Sequence, residues 1–322
     1  MKLRSLAWLT VAAAALFALT SEAAHAQPYP SRSIRLVVPF APGGPADFLG
    51  RLIGLKLSEE FGQQVIVDNR AGANTIIGAQ AVAKAAPDGY TLLMAIDGTL
   101  VMNPFMYSKL PYAVKDFELV GLIAEVPSVL VANNKVPANS IKELIALEKA
   151  KPGTFMIGSS TPTTQVGIEL LNMMAGTKMS IVPYKGGNTQ ITAELAGDIP
   201  LGMESLNVAM PLWRAGKIKI LGSSTPRRIA QAPEIAPIAD TYPGYDMGIW
   251  QSIVAPAGTP RAIVDKLNAA LKKVLSTPDV RDKIIKAGIE PRTSTPEDFA
   301  AFVRAQSETR SKVIKAIGMK LD

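Results

Sequence analysis

Short apolar runs alternate with stretches of helical periodicity along most of the chain. Residues 35–38 are Arg35 followed by a short apolar run, Leu36-Val37-Val38, whose β-branched side chains are typical of a buried strand. Strands are predicted in the same way at residues 64–68 and 90–95, and a helix from residue 76 to 85 separates them. Another helix face follows the first strand, at Phe48, Leu49, Leu52, Ile53 and Leu57. This alternation predicts an α/β fold with a parallel sheet and right-handed crossovers.

The same order of elements returns in the second half of the chain. Strands are predicted at residues 117–123 and 128–132, and Ser140 begins a helix with Glu143 three residues on. A strand, a loop and a helix face then follow one another at 154–158, 159–164 and 166–174. The remaining predicted elements are a strand and tight loop at 181–187, a helix at 190–196, strands at 201–203 and 218–222, an extended segment at 247–255, and three C-terminal helices that begin at the Thr-Pro pairs 259–260, 277–278 and 295–296.

Two strand–loop–helix units hold the candidate chemistry, because a helix N-terminus carries partial positive charge and suits an anion. The first contains Gly43 and Gly44, which permit a tight turn and close approach of a ligand, and Asp47, which is placed to cap the helix. The second, at residues 159–164, consists mostly of hydroxyl side chains that can cap a helix or bind a ligand. Each loop has an alternative interpretation, a plain connection for the first and a capping cluster for the second.

The N-terminus has the pattern of a secretory signal peptide. Basic residues precede an apolar run at residues 6–19, and Ala24-His25-Ala26 provides a cleavage site, so we expect a signal peptide at residues 1–26. A retained N-terminal anchor is the alternative. The apolar run is shorter than the roughly 20 residues that a membrane-spanning helix needs. The sequence therefore predicts an exported protein without an anchor.

Composition excludes several kinds of chemistry. The chain has no cysteine, and its single histidine, His25, lies in the predicted signal peptide. Histidine- and cysteine-based catalytic triads, thiol chemistry and histidine-ligated zinc are thereby excluded for the mature chain, whereas carboxylate-only or Ser-Lys catalysis stays open. The net charge of +7 comes from scattered residues without a dense basic patch, so we expect no nucleic-acid partner. Phosphate-loop, dinucleotide-binding and nucleophile-elbow motifs do not occur, and we expect no cofactor and no metal.

One stretch resembles the signature of a known family. Val38-Pro39-Phe40-Ala41-Pro42-Gly43-Gly44-x-x-Asp47 is similar to the signature of the Bug family, the periplasmic solute-binding components of tripartite tricarboxylate transporters. Further matches follow in order and cover nearly all of the mature chain: Val67-x-Asn69-Arg70-x-Gly72-Ala73, Ala86-Pro87-Asp88-Gly89-Tyr90-Thr91-Leu92, Pro183-Tyr184-Lys185-Gly186 and Ala255-Pro256-Ala257-Gly258-Thr259-Pro260.

The resemblance implies a two-lobe, type II-like periplasmic-binding-protein fold with the ligand cleft between the lobes. Lobe 1 is expected to comprise residues 27–124 and 250–322, and lobe 2 residues 125–249. The chain is expected to cross between the lobes near residues 122–128 and 247–253.

The resemblance also implies the residues that hold the ligand, a small carboxylate bound by backbone N–H groups, hydroxyls and waters. One jaw would comprise Phe40, Pro42, Gly43, Gly44 and Asp47, with Gly98 and Thr99 beside them. The other would comprise Gly158, Ser159, Ser160, Thr163 and Thr164, with Tyr184 and Ser205 closing it.

Two departures from the family pattern affect the expected ligand. Pro162 stands in the hydroxyl loop and removes one N–H donor, and Asp97 stands in the loop predicted at residues 97–99 beside the cleft. Both features disfavour a tricarboxylate and favour a monocarboxylate, an aromatic acid or an amino acid derivative.

The sequence therefore predicts a non-enzymatic periplasmic receptor that captures a small carboxylate by hinge closure. We expect it to be a monomer and to deliver its ligand to membrane transporter subunits. The alternatives are a ligand sensor for a two-component system and an exported hydrolase or lyase without histidine.

Overall fold

The structure is a computed structural model that describes residues 29–321. The predicted signal peptide at residues 1–26, with His25, lies outside the described residues. Contacts divide the chain after Ser31, and the following description concerns the second unit, which begins at Arg32. None of the described helices is both long enough and apolar enough to cross a membrane.

The described strands fall into two sheets. In chain order the strands are β1 (Ile34–Val38), β2 (Val65–Asn69), β3 (Thr91–Ile96), β4 (Phe117–Val126), β5 (Ser128–Asn133), β6 (Met156–Ser159), β7 (Ser180–Pro183), β8 (Leu201–Ser205), β9 (Ile218–Ser223), β10 (Ile249–Pro256) and β11 (Glu290–Pro291). The α-helices are α1 (Pro45–Phe61), α2 (Ile76–Ala83), α3 (Asn103–Met106), α4 (Ile141–Ala150), α5 (Pro162–Ala175), α6 (Gly187–Ala196), α7 (Leu206–Arg214), α8 (Arg261–Ser276), α9 (Pro278–Lys286) and α10 (Pro296–Ile317).

The two sheets share one strand order. The first sheet is ordered β11-β4-β10-β3-β1-β2, with β1 parallel to β2 and β3 and with β10 antiparallel to β3 and β4. The second is ordered β7-β6-β8-β5-β9, with β6 parallel to β7 and β8 and with β5 antiparallel to β8 and β9. In each sheet, three parallel strands are therefore followed by an antiparallel strand beside the third of them. The predicted α/β architecture with two sheets is confirmed.

The chain passes from one sheet to the other at Pro127, because β4 ends at Val126 in the first sheet and β5 begins at Ser128 in the second. It returns to the first sheet with β10. The predicted lobe boundaries, residues 27–124 with 250–322 and residues 125–249, stay a prediction.

Apolar packing joins the elements of the two sheets. The largest cluster of the second sheet includes Met102, Met106 and Ile314, which come from segments that pack on the first sheet. On the first sheet, the Trp250 indole meets the rings of Phe299 and Phe302 edge to face, at centroid distances of 5.6 and 5.5 Å. Such contacts hold α10 against both parts of the core.

Two elements differ from the sequence-based expectation. Residues 97–99 do not form a loop, because the chain enters a π-helix at Gly98–Met102 directly after β3. Helix α7 was not predicted, since Pro211 inside it reads as a helix breaker in the sequence. Both segments lie at carboxyl ends of parallel strands, where ligands of open α/β sheets bind.

Candidate functional site

Four helices begin at one cavity between the two sheets. Their N-cap residues are Gly44 of α1, Thr161 of α5, Gly186 of α6 and Ser205 of α7, and all four line the cavity. The cavity volume is about 30 Å³, so the two sheets lie close together at this site. Its lining consists of Phe40, Ala41, Gly44, Pro45, Ala46, Ile96, Ser160, Thr161, Thr164, Gly186, Gly187, Glu204, Ser205, Ile249 and Gln251. Convergent helix N-termini provide N–H donors and partial positive charge, so this geometry suits an anion.

The glycine loop before α1 is held from behind by a buried carboxylate. Gly43 has a φ of +96°, which only glycine adopts without strain. Its N–H donates to Asp47 Oδ2 at 3.0 Å, Asn69 Nδ2 donates to Asp47 Oδ1 at 3.0 Å, and the Arg51 guanidinium contacts Oδ1 at 2.9 Å. Burial acts to raise the pKa of Asp47, but the bonds from Arg51, Asn69 and Gly43 outweigh it and hold that pKa below its ordinary value. Asp47 therefore fixes the loop.

The expectation that Asp47 caps α1 is corrected by this arrangement. The N-cap residue is Gly44, and no side chain bonds to the first N–H groups of α1. Pro45 at the first helical position lacks an N–H, so Ala46 is the first lining residue of α1 with a donor. An uncapped N-terminus at a cavity leaves its donors for a ligand.

The hydroxyl loop satisfies its own helix. Thr161 Oγ1 accepts the N–H of Thr164 at 3.1 Å, and Thr164 Oγ1 accepts the N–H of Thr161 at 3.1 Å. Ser159 and Thr164 share a hydrogen bond of 2.6 Å between their hydroxyls. This reciprocal capping agrees with the alternative interpretation of the loop as a capping cluster. Ser160 lies at the cavity, and its hydroxyl takes no part in these three hydrogen bonds.

A hydrogen bond between two buried side chains joins the two sheets beneath the cavity. Thr163 Oγ1 donates to Asp97 Oδ2 at 2.6 Å, and both residues are buried. Burial raises the pKa of Asp97 to about 6, although the Thr163 bond and the positive charge of Arg310 act in the other direction. A methyl group on Gly98 would lie 3.0 Å from Pro162, so glycine permits close approach here. Asp97 therefore connects the sheets and does not line the cavity, contrary to its expected place beside the ligand.

Glu204 is the charged residue of the cavity wall, and it is absent from the residues predicted to bind the ligand. It lies at the end of β8, and its Oε1 accepts the N–H of Ser205 at 2.8 Å and the Ser205 hydroxyl at 3.1 Å. Burial raises the pKa of Glu204 to about 7, despite these two bonds. The signal that could have found it is its position, since a polar residue between a buried strand and a helix N-cap occupies the ligand-binding edge of the sheet.

The structure brings only some of the predicted site residues to the cavity. Those in the lining are Phe40, Gly44, Ser160, Thr164 and Ser205. Pro42 and Gly43 belong to the first loop but are not part of the lining, and Asp47 accepts the hydrogen bond that fixes Gly43. Tyr184 lines a neighbouring cavity together with Phe40 and Ser160. Buried positions are taken by Gly98, Thr99, Gly158, Ser159 and Thr163.

The buried members serve packing and hydrogen bonding. Thr99 shares a hydrogen bond of 2.8 Å with the Thr75 hydroxyl. A methyl group on Gly158 would lie 2.8 Å from Gln190, so this glycine permits helix α6 to approach the sheet. Within residues 29–321, no group of three or more acidic, His or Cys side chains could hold a metal ion.

At the edge of the cavity, one hydrogen bond connects the glycine loop before α1, at Gly43 and Gly44, with the glycine loop before α6, at Gly186 and Gly187. Asn188 Nδ2, in the first turn of α6, donates to the carbonyl oxygen of Pro42 at 3.3 Å. A methyl group on Gly43 would lie 1.9 Å from the same nitrogen. The two loops are therefore in direct contact in this structure.

Comparisons with known proteins agree on one family. The family model described as "Tripartite tricarboxylate transporter family receptor" matches residues 49–319. The "UPF0065 protein in tcbD-tcbE intergenic region" of Pseudomonas sp. strain P51 is 36% identical over 316 residues, which are 94% of this chain and 93% of the relative. The protein BugT of Bordetella pertussis is 31% identical over 301 residues, which are 92% of each chain. The resemblance to the Bug family is thereby confirmed.

Solved structures match over the same extent. Rpa4515 of R. palustris, described with adipate, superposes with a TM-score of 0.88 at 34% identity and covers 91% of this chain and 99% of its own. MatC of Rhodopseudomonas palustris, described with bound malate, superposes with a TM-score of 0.84 at 29% identity and covers 89% of this chain and all of its own, 100%. The periplasmic binding protein BugD superposes with a TM-score of 0.86 at 29% identity and covers 91% and 99% of the two chains. The predicted periplasmic-binding-protein fold is confirmed.

Proposed function

Because the chain belongs to the tripartite tricarboxylate transporter receptor family, we propose that it is a solute-binding receptor that captures a small carboxylate in the cavity between its two sheets. The observation that carries this proposal is the convergence of four helix N-termini, at Gly44, Thr161, Gly186 and Ser205, on one cavity. The event is binding by closure of the two sheets around the ligand, and no bond of the ligand is broken.

The composition of the cavity wall supports recognition by backbone donors. Helices α1 and α6 have no side-chain hydrogen bond at their N-caps, so their first N–H groups remain for a ligand. The first N–H of α7, that of Leu206, donates to the carbonyl oxygen of Pro127 at 2.8 Å. Among the described residues that line the cavity, none is Lys or Arg. A carboxylate would therefore be held by amide N–H groups and by the Ser160 hydroxyl, aided by the helix dipoles.

The named ligands of similar proteins support the same class of ligand. Rpa4515 is described with adipate and MatC with malate, and both ligands are small carboxylates. We infer that this chain binds an acid of comparable size, and that the ligand contacts Phe40, Gly44, Ser160 and Ser205 of the predicted set, whereas Thr164 lines the cavity but serves its own loop.

The family also suggests where the receptor acts. We infer that the mature protein works in the periplasm after removal of residues 1–26 and delivers its ligand to the membrane subunits of a tripartite transporter. Helical and strand surfaces around the cavity edge would then contact those subunits in the closed form. We propose a monomer, since each copy contains a complete cavity.

A panel of acids tests the proposed function. Thermal unfolding is followed with monocarboxylates, dicarboxylates of four to six carbons, citrate, aromatic acids and amino acids, each beside its uncharged amide. We expect at least one acid to raise the unfolding temperature by several degrees at a concentration of about 100 Kd, which corresponds to about 2.7 kcal/mol of stabilisation, while its amide has no effect.

The same samples test whether the protein is a receptor. After prolonged incubation with the stabilising acid, the acid is quantified by mass spectrometry and recovered unchanged if the event is binding alone. Consumption of the acid would contradict the proposal, and so would a complete lack of stabilisation by every acid of the panel.

A further inference from the structure

A carboxyl group in the cavity wall has one oxygen without a partner. The exposed fraction of Glu204 is 2%, and its Oε1 accepts both hydrogen bonds from Ser205. Its Oε2 is buried and has no hydrogen-bond partner among the described residues. A buried acceptor without a donor is unfavourable, because it has lost its hydrogen bonds to bulk water and gained none.

A second unpartnered acceptor comes from the other sheet. Gln251 of β10 has an exposed fraction of 2%, lines the same cavity, and leaves its Oε1 without a partner among the described residues. Glu204 belongs to the second sheet and Gln251 to the first. The cavity lining therefore includes, from each sheet, one residue whose side chain has a buried, unpartnered acceptor.

These acceptors do not fit a ligand that consists of carboxylates alone. Above pH 7, where Glu204 is largely ionised, its Oε2 can only accept, so a ligand carboxylate gains no hydrogen bond from it and is repelled by it. Protonated Glu204, at lower pH, would instead donate a hydrogen bond to a carboxylate. The uncapped helices α1 and α6 provide the donors that a carboxylate needs. The wall thus combines a donor-rich part with two acceptors, and a ligand that satisfies both parts has an anionic end and an N–H end.

We propose that the ligand is an amino-substituted carboxylic acid, whose carboxylate meets the helix N-termini and whose ammonium or other N–H group donates to Glu204 and Gln251. This inference rests on the proposed function, because it assumes that a carboxylate enters this cavity. It assigns Glu204 as a specificity-determining residue that favours amino acids over dicarboxylates.

Asp97 occupies the equivalent place in the first sheet, and comparison with it shows why Glu204 is the acid that a ligand can contact. Asp97 follows β3 as Glu204 ends β8, and both strands are the third of three parallel strands. Asp97 accepts from Thr163 of the opposite side and lies outside the cavity lining. Glu204 accepts only from Ser205, which follows it directly, and it lies in the lining.

The surroundings of Glu204 set its response to the ligand. Glu194 of α6 lies behind it, and burial together with the charge of Glu204 raises the pKa of Glu194 to about 8. Burial raises the pKa of Glu204 to about 7. An ammonium group beside Glu204 favours its ionised form, so binding of an amino acid near pH 6.5 is expected to release a proton.

Matched pairs of ligands test the inference. The wild-type protein and Glu204→Gln are titrated calorimetrically with pairs of equal chain length, such as glutarate with 5-aminopentanoate, adipate with 6-aminohexanoate, and succinate with aspartate. We expect the wild type to bind the amino member of the best pair at least tenfold more tightly than the diacid. Glu204→Gln is expected to lower this preference at least tenfold by weakening the amino member.

A control variant separates the effect of the Glu204 carboxyl on ligand preference from the effect of losing any buried carboxyl group. Glu194→Gln changes the same functional group behind the cavity, outside the lining, and is expected to leave the preference within threefold of the wild type. Gln251→Met removes the second acceptor at similar size, so it supplies an independent variant if Glu204→Gln fails to fold. We expect Gln251→Met to lower the preference about threefold.

The outcomes distinguish this inference from the proposed function. If a diacid binds most tightly and neither Glu204→Gln nor Gln251→Met alters the ranking, the inference is wrong and the receptor function stands. In that case water satisfies the two acceptors. If no acid of any pair binds the wild type, the receptor function itself is wrong. Proton release with the amino member, measured from titrations in two buffers of different ionisation enthalpy, must accompany the supporting result.

Discussion

The two sheets have the same strand order, yet the loops at equivalent places differ in whether they cap the N-terminus of the helix that follows. The loop after the first strand of the first sheet, at residues 39–44, ends in two glycines and leaves α1 uncapped. The equivalent loop of the second sheet, at residues 160–161, is closed by the reciprocal bonds of Thr161 and Thr164. In the second sheet the glycine loop comes one strand later, at Gly186 and Gly187 before α6. The hydroxyl loop therefore satisfies the first N–H groups of its own helix, whereas the glycine loops leave those of α1 and α6 uncapped.

The acids at equivalent places, Asp97 and Glu204, differ in whether they line the cavity. Asp97 is used inside the protein, where Thr163 donates to it from the opposite sheet, whereas Glu204 lies in the cavity wall. Each carboxyl leaves one oxygen unpartnered, but only that of Glu204 belongs to a residue that a ligand can contact. If the proposed function holds, the comparison predicts that the glycine loops and Glu204 determine affinity and specificity, and that the hydroxyl loop and Asp97 contribute to stability.

The largest effect on affinity is expected for Gly187→Ala in the glycine loop of the second sheet. The added methyl group would lie 2.5 Å from Glu204 Oε1, so the carboxyl must leave its Ser205 bonds and move into the cavity. We expect Kd for the best acid to rise about a hundredfold, equivalent to about 2.7 kcal/mol, by isothermal titration. Gly54→Ala, in α1 with its nearest contact at 3.5 Å, is the control and should leave Kd unchanged. An unchanged Kd in Gly187→Ala contradicts the assignment of this loop to binding.

Asp97→Asn is expected to change the pH dependence of stability. The pKa of Asp97 is raised from 3.8 to about 6 in the folded protein, so its neutral form is favoured by folding. The contribution is fully present below pH 3.8 and is lost as the pH rises through 6, which amounts to about 2 kcal/mol between pH 4.5 and 7. The fall in unfolding free energy over that range should be shallower in Asp97→Asn, as measured by urea denaturation.

The control for that measurement is Asp265→Asn, which changes a surface acid of α8. Its pH profile should follow the wild type. If Asp97→Asn also follows the wild type, burial does not disfavour the charge of Asp97, and the contact beneath the cavity has been assigned incorrectly.

Gly43→Ala tests the glycine loop of the first sheet. Alanine at a φ of +96° is strained by about 1–2 kcal/mol, and its methyl group would displace the Asn188 side chain from Pro42. We expect Kd to rise about tenfold, equivalent to about 1.4 kcal/mol. Asn188→Ala removes only the hydrogen bond to Pro42 and should raise Kd less than threefold. Equal effects of the two substitutions would mean that the backbone conformation of Gly43 is unimportant.

Thr164→Val makes the smallest change and separates the two kinds of loop. It removes the hydroxyl that bonds Ser159 and the N–H of Thr161, so the free energy of unfolding should fall by about 1 kcal/mol. Because these bonds lie within the hydroxyl loop, Kd should change less than threefold. Leu170→Met on the same helix repacks the core at similar volume and serves as the control. A tenfold rise in Kd for Thr164→Val would abolish the distinction between the loops.

Much of the fold follows from local pattern. The alternation of apolar strands and amphipathic helices predicts both sheets, and Ser140 and Thr295 cap their helices as Ser and Thr before acidic residues predict. Helix α7 was not predicted because Pro211 within it is typical of a helix end. The π-helix at Gly98–Met102 was not predicted because its residues have no distinct hydrophobic period. These elements are decided by tertiary packing, which a local pattern does not contain.

The place of the candidate site was predictable from the sequence, but its detail only in part. Strand ends followed by glycine or hydroxyl residues indicated the edge of each sheet at which the cavity lies, and Phe40, Gly44 and Ser160 line that cavity; their contact with a ligand stays a prediction. The sequence does not show whether a hydroxyl faces the ligand or its own helix, since that depends on a rotamer, as for Thr164. Nor does it show which of two acids, Asp97 or Glu204, is turned toward the cavity, because that depends on contacts between distant segments.

The hydrogen bond from Asn188 to Pro42 connects the two glycine loops beside the cavity, and it bears on the time that a ligand remains bound. Separation of the loops requires this bond to break, so the dissociation rate contains the cost of breaking it in addition to the loss of ligand contacts. A membrane partner that draws these two loops apart would therefore accelerate unloading without touching the ligand itself. We expect release to be controlled mechanically at the rim, independently of which acid is carried.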